Sequence, residues 1–148
     1  MSLSVGVASH RTRVPIARER VASVARAVLR SEGVGDALLS ITFVSNSAIR
    51  ALNGKHFRRV ALTDVISFGF RKTGRKGPVV GDVYIAPEVA RASARDNGIT
   101  LREEIVRLIV HGTLHVLGYD HPDTQARTRS TMWRKQERLV KRLSTKAA

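Results

Sequence analysis

The chain predicts a single α+β domain, and three observations predict it. Short β-branched runs occupy the stretch before Pro87, helical periodicity takes over after it, and the 148 residues show no composition break that would mark a second core. A chain of this size buries roughly 70% of its unfolded surface, enough for one core without staples. At the N-terminus Leu3, Val5 and Val7 alternate with smaller residues, the pattern of a half-buried edge strand. Three arginines before Glu19 also suit an organelle transit sequence, but the alternation favours the strand. Pro15 is placed as a first helical residue. Ala17, Val21, Val24, Ala25 and Val28 then recur at helical spacing, giving about five turns that stop at Gly33.

The run LLSITFV, residues 38–44, reads as a second strand, and Ser45 caps a short helix through Ile49 and Leu52 that Asn53-Gly54 closes. Residues 64–70 (DVISFGF) and 80–86 (VGDVYIA) flank the turn-rich RKTGRKGP, so 64–86 reads as a long-looped β-hairpin. Pro87 opens a helix ending at Asn97-Gly98. Thr100 and Glu103 form the capping box of the next, whose apolar stripe is Leu101, Ile105, Leu108, Ile109, Gly112 and Val116 and whose stop is Gly118. A last helix is expected from Thr124 to Leu143, with a disordered tail at 144–148.

Charge and composition narrow the partners. Lys and Arg number 26 against 12 acids, a net charge of +14, which points to a polyanion because each neutralised phosphate releases counterions. On the last helix Arg127, Arg134, Arg138 and Lys141 form a cationic stripe opposite Met132, Leu139, Val140 and Leu143, and Arg71, Lys72, Arg75 and Lys76 cluster on the hairpin loop. One Trp, two Tyr and four Phe, none interleaved with these cations, give no base-stacking platform. No apolar run approaches the roughly 18 residues of a spanning helix, so the reading is a non-membrane, cytoplasmic chain. Zero cysteines leave only nitrogen and oxygen ligands for any metal.

The chemistry concentrates in HGTLHVLGYDH. His111 and His115 are four residues apart on one helical face, and Gly118 permits a left-handed helix end that returns His121 toward the same point. A lone helical histidine has many other roles. The joint spacing with Gly118 is what singles out a three-imidazole metal site, with zinc the leading ion and nickel, cobalt or copper chemically admissible. This is the ligand frame of the zincin peptidases, except that their general-base Glu is replaced by Gly112, which removes that mechanism of peptide hydrolysis. Asp120 and Asp123 flank the turn as candidates to orient a histidine, with N-capping the better role for Asp123.

Together with TDVISF at 63–68 and GDVYIA at 81–86, this segment resembles the YbeY family of bacterial rRNA-maturation endoribonucleases. The resemblance runs from Ile41 to Leu143 and takes in Leu52-Asn53, Met132 and Gln136-Glu137. It implies one domain over residues 1–148 with a mixed four-stranded sheet, about five helices and a metal site at the end of a helix in the C-terminal half. It further implies a zinc-dependent endonuclease for single-stranded RNA, with one ion per chain, that processes the 3′ end of 16S rRNA and serves ribosome quality control. The small ribosomal subunit and its proteins are the implied partners of a monomer. By the same carry-over His111, His115 and His121 are the zinc ligands, with His115 also catalytic. The arginine that family members carry before the TDV element falls on Phe57, and Val60-Ala61-Leu62 replaces the run that follows it. The adjacent Arg58 and Arg59 are therefore the catalytic candidates for reaching the phosphate.

For a general base the residues offer His56, Asp64 and Asp82. The nucleophile is either metal-activated water or the neighbouring 2′-hydroxyl. Two other readings stand beside this one: a zincin-like metallopeptidase, and a non-catalytic rRNA-binding assembly factor with a structural metal.

Overall fold

The computed structural model describes residues 2–57, 64–71, 77–120 and 130–144. Within them run β1 (Leu3–His10), α1 (Arg18–Ser31), β2 (Ala37–Val44), α2 (Asn46–Phe57), β3 (Val65–Arg71), β4 (Val79–Ile85), α3 (Pro87–Asp96), α4 (Leu101–Val116) and α5 (Thr131–Ser144). The strands form one sheet in the order β1-β2-β4-β3. β1 pairs with β2 and β2 with β4 in parallel, while β3 closes antiparallel on β4 as the expected hairpin. The result is the mixed four-stranded α+β sheet that the sequence implied, with β1 on the edge.

Side-chain alternation decides what each face meets. Leu39, Ile41 and Phe43 of β2 and Val83 and Ile85 of β4 point to one face, where they join α1, α4 and α5 in the main core. On the other face Ile49 of α2 packs with Val44, Ile66 and Ala86 in a smaller cluster. Leu3, Val5 and Val7 are half-buried, as an edge strand with one covered face requires. α4 carries the longest buried stretch, including Ile105, Val106, Ile109, Val110 and Leu114.

Two facing glycines let α4 approach the hairpin closely. Gly69 and Gly81 are direct partners in the β3–β4 register. A Cβ at Gly69 would lie 2.5 Å from the Val116 carbonyl oxygen, and one at Gly81 would lie 2.4 Å from Val116 Cγ1. Val116, the last residue of α4, therefore seats against bare backbone.

Three helix boundaries differ from the sequence reading. α1 starts at Arg18, with Ala17 still extended (φ −56°, ψ 135°), and Pro15 lies outside it, so its 14 residues make about four turns rather than five. The start is set by tertiary contact, since the Arg18 guanidinium donates to the Val7 carbonyl of β1 at 2.7 Å. α2 does not close at Asn53-Gly54 but runs on to Phe57, because buried Ile49 anchors it to the sheet more strongly than one glycine disfavours it. The expected start of α5 at Thr124 lies outside the described residues, within which α5 runs from Thr131, where Ser130 Oγ caps it by accepting from the Trp133 N–H at 3.1 Å. It also includes Ser144, the first residue of the expected tail. The loop cations Lys72, Arg75 and Lys76, and residues 145–148, lie outside the described residues.

Candidate functional site

α4 is built as its sequence dictates: Thr100 Oγ1 accepts from the Glu103 N–H at 3.1 Å, closing the capping box at its start. Its end is a Schellman motif. The Gly118 N–H donates to the His115 carbonyl at 2.9 Å and the Tyr119 N–H to the Leu114 carbonyl at 3.1 Å, with Gly118 at φ 101°. This reversal carries the Tyr119 carbonyl back over the last turn, where it lies 2.9 Å from His115 Nδ1. A carbonyl only accepts, so Nδ1 of His115 is the protonated nitrogen.

His111, one turn earlier, is oriented from α5. Its Nδ1 lies 2.6 Å from Gln136 Oε1. The Gln136 amide nitrogen donates to Glu137 Oε2 at 3.0 Å, which fixes the amide orientation and makes His111 Nδ1 the donor. Glu137 in turn receives a bidentate pair from Arg107, both contacts at 3.0 Å, and Arg107 also pairs with Glu103 at 3.2 Å and with buried Glu104 at 3.5 Å. Burial would raise the Glu137 carboxyl, but the bonds from Arg107 and Gln136 outweigh it and hold it below its ordinary value. The bond to Glu137, chiefly, raises the Arg107 guanidinium further still.

Tyr119 is pinned by its side chain as well. Its hydroxyl donates to Glu32 Oε1, and Lys135 of α5 pairs with Glu32 at 3.0 Å while its Nζ sits 5.4 Å from the centre of the Tyr119 ring. The bond to Glu32 raises both the Tyr119 phenol and the Lys135 ammonium. Lys135, Gln136 and Glu137, consecutive on α5, thus support both histidines.

The two half-buried imidazoles stand edge to face, with ring centres 4.6 Å apart. With both Nδ1 atoms committed to acceptors, each ring keeps Nε2 as its lone-pair nitrogen, the donor chemistry that a divalent transition metal takes. His121 lies outside the described residues, and among the described residues no group of three metal-ligating side chains is gathered. Arg58 and Arg59, Asp123 and Arg127, and the side chains of His56, Phe57 and Arg71 also lie outside them.

The remaining candidates separate cleanly. Asp64 lines a cleft that reaches His111. Asp82 does not: its neighbours Gly81 and Val83 face α4, so it projects from the opposite face, where Ser40 Oγ donates to it at 2.5 Å. Burial, and then the Asp82 charge, raise the phenol of Tyr84 beside it. Asp120 is exposed. Gly112 is buried against the sheet, and a Cβ there would come within 2.6 Å of Val83 Cγ1 and 3.1 Å of Ser67 Oγ. The position that holds a base in zincins is thus pressed onto β3 and β4.

The cleft beside His111 encloses about 460 Å³ between α3, α4, α5 and the start of β3, with Trp133 and Asn97 among its walls. Sequence reading singled out the histidines and Gly118 but not Tyr119, Arg107 or Trp133. The i,i+4 spacing from Glu103 through Arg107 to His111 was the available signal for Arg107. On α5 Arg134, Arg138 and Lys141 are exposed and Met132, Leu139, Val140 and Leu143 buried, as the stripe required.

Comparison with known proteins agrees with this architecture. A family profile described as "Endoribonuclease YbeY" matches residues 7–144. The Endoribonuclease YbeY of Sulfurihydrogenibium sp. (strain YO3AOP1) is 35% identical over 130 residues, covering 87% of this chain and 85% of that protein. The protein of the same description from Bacillus licheniformis is 34% identical over 155 residues, covering 96% of each. A solution structure from Thermotoga maritima shares the fold, with a TM-score of 0.59 at 22% identity over 94% of this chain and 88% of that one. A basic α+β chain whose histidine helix ends in a Gly118 reversal thus matches relatives of one description over most of its length, and it belongs to the YbeY endoribonuclease family.

Proposed function

We propose that the chain is a single-strand-specific endoribonuclease that binds one zinc ion through His111, His115 and His121 and acts in 16S rRNA 3′-end maturation and ribosome quality control in the cytoplasm. The observation that carries the metal assignment is the pair of imidazoles whose Nδ1 atoms are both bound to acceptors, at 2.6 and 2.9 Å. Zinc held by these residues would supply a Lewis acid for phosphoryl chemistry. The chain's own groups do the rest. Gln136 and the Tyr119 carbonyl hold the two rings in one tautomer. Arg58 and Arg59 are assigned to the charge developing on the phosphate, and His115 to the catalytic set. The exposed cations of α5 draw in the RNA backbone, of the small ribosomal subunit in this reading, with ribosomal proteins alongside and the chain a monomer.

Metal analysis followed by cleavage of single-stranded RNA, with and without chelator, tests this reading. Cleavage that EDTA abolishes and zinc restores is expected, with an unstructured peptide left intact because Gly112 provides no base. His115→Ala should lose both zinc and cleavage. A zinc-loaded protein that binds RNA without cutting it would overturn the assignment in favour of an assembly factor. A 2′,3′-cyclic phosphate on the product would identify the 2′-hydroxyl as nucleophile.

A further inference from the structure

We propose that the cleft beside His111 is a nucleobase subsite, which stacks one base of the RNA on Trp133 and selects bases that bear an exocyclic amino group. The proposal rests on the endoribonuclease reading and adds to it where the base next to the cut bond goes. At about 460 Å³ the cleft is of ligand-binding size and opens at the histidine that the proposed metal uses. Its apolar walls include Ile99, Leu108 and Trp133, an indole that α5 places there in its first turn. Every base offers a π-face to such a ring, so the placement of Trp133 in the cleft replaces the expectation, drawn from the spacing of aromatics and cations, that the chain has no stacking platform.

The polar lining determines what else the ligand carries. In a chain of net charge +14, this cleft presents the carboxylates of Asp64, Glu104 and Glu137 against the single guanidinium of Arg107. Away from His111 the lining thus favours a base over a phosphate, which is left to the proposed zinc at the mouth of the cleft and to exposed Arg134. The Asn97 amide nitrogen donates to the Ser93 carbonyl at 2.8 Å, which leaves Oδ1 as the acceptor. Asp64, with two oxygens and about four lone-pair positions, is a second acceptor. Two acceptors in the lining match an exocyclic amino group of cytosine, adenine or guanine, which offers two N–H donors where uracil offers only its single N3–H.

Trp133 is the only tryptophan of the chain, so its emission reports on the cleft without interference. The zinc-loaded protein titrated with CMP, AMP, UMP and ribose 5-phosphate should show saturable quenching by CMP and AMP. UMP should need roughly fivefold more or beyond, and ribose 5-phosphate should leave the emission unchanged. Equal quenching by ribose 5-phosphate, equal quenching by UMP, or no quenching by any nucleotide would each overturn the proposal. In RNA cleavage Trp133→Ala should raise KM roughly five- to hundredfold, more than it lowers kcat, with Trp133→Phe restoring most of the loss. An unchanged KM in a folded Trp133→Ala protein would also sink it. If cleavage is intact and no nucleotide quenches, the subsite alone falls; if CMP quenches and no RNA is cut, the endoribonuclease reading falls.

Discussion

Gln136 decides which nitrogen of His111 carries the proton, because its own amide is held in one orientation by Glu137. Replacing it by leucine keeps the volume and removes the acceptor. Gln136→Leu should weaken zinc binding about 10- to 100-fold in competition against a chromophoric chelator, and unchanged affinity would show that the contact has no part in orienting the ring. Gly112 is constrained in a different way. Writing the zincin glutamate back as Gly112→Glu should confer no peptidase activity and should destabilise the fold by about 3 kcal/mol or more, since the new side chain meets Val83 at once. Chemical denaturation measures the loss, and a stable variant would contradict the packing. At Gly118, with φ at 101°, an alanine should cost about 1–2 kcal/mol and loosen the Tyr119 carbonyl from His115.

At the scale of elements, α4 presents the histidines and α5 orients His111 through Gln136, the two helices joined through the Arg107–Glu137 pair. The Glu137 carboxyl sits below its ordinary 4.5 when folded, so the unfolded chain binds the proton more readily. The pair therefore stabilises the fold above that value and loses this contribution as pH falls through the lower, folded value. Glu137→Gln should flatten that acid limb in thermal unfolding measured from pH 6 downward, and an unchanged limb would exclude the pair from acid stability. Much of this level was legible in the sequence, because its signals are local: Thr100 with Glu103, Gly118 past Val116, and Pro87 at the start of α3 are each satisfied within one turn. The start of α1 was not, since Ala17 has no capping side chain and Arg18 is held by a strand contact across the fold. Nor was the reach of α2 past Gly54, where packing of Ile49 overrides propensity. The support of His111 by Gln136 spans 25 residues, a distance over which periodicity carries no information.

For the whole molecule the net charge of +14 governs association. RNA affinity should fall steeply with salt, and the double variant Arg134→Ala, Arg138→Ala should reduce the logarithmic salt slope by about 1.4 if each cation meets one phosphate. Filter binding across a salt series measures it, and an unchanged slope would move the RNA path away from α5. The fit of Val116 against Gly69 and Gly81 has a consequence at this scale too. Keyed into the hairpin one residue past His115, α4 has its height and rotation above the sheet settled by backbone contact. The two imidazoles are thus positioned by packing contacts alone, so if zinc binds there as proposed its uptake should be docking rather than folding, and far-ultraviolet circular dichroism should hold constant throughout a zinc titration.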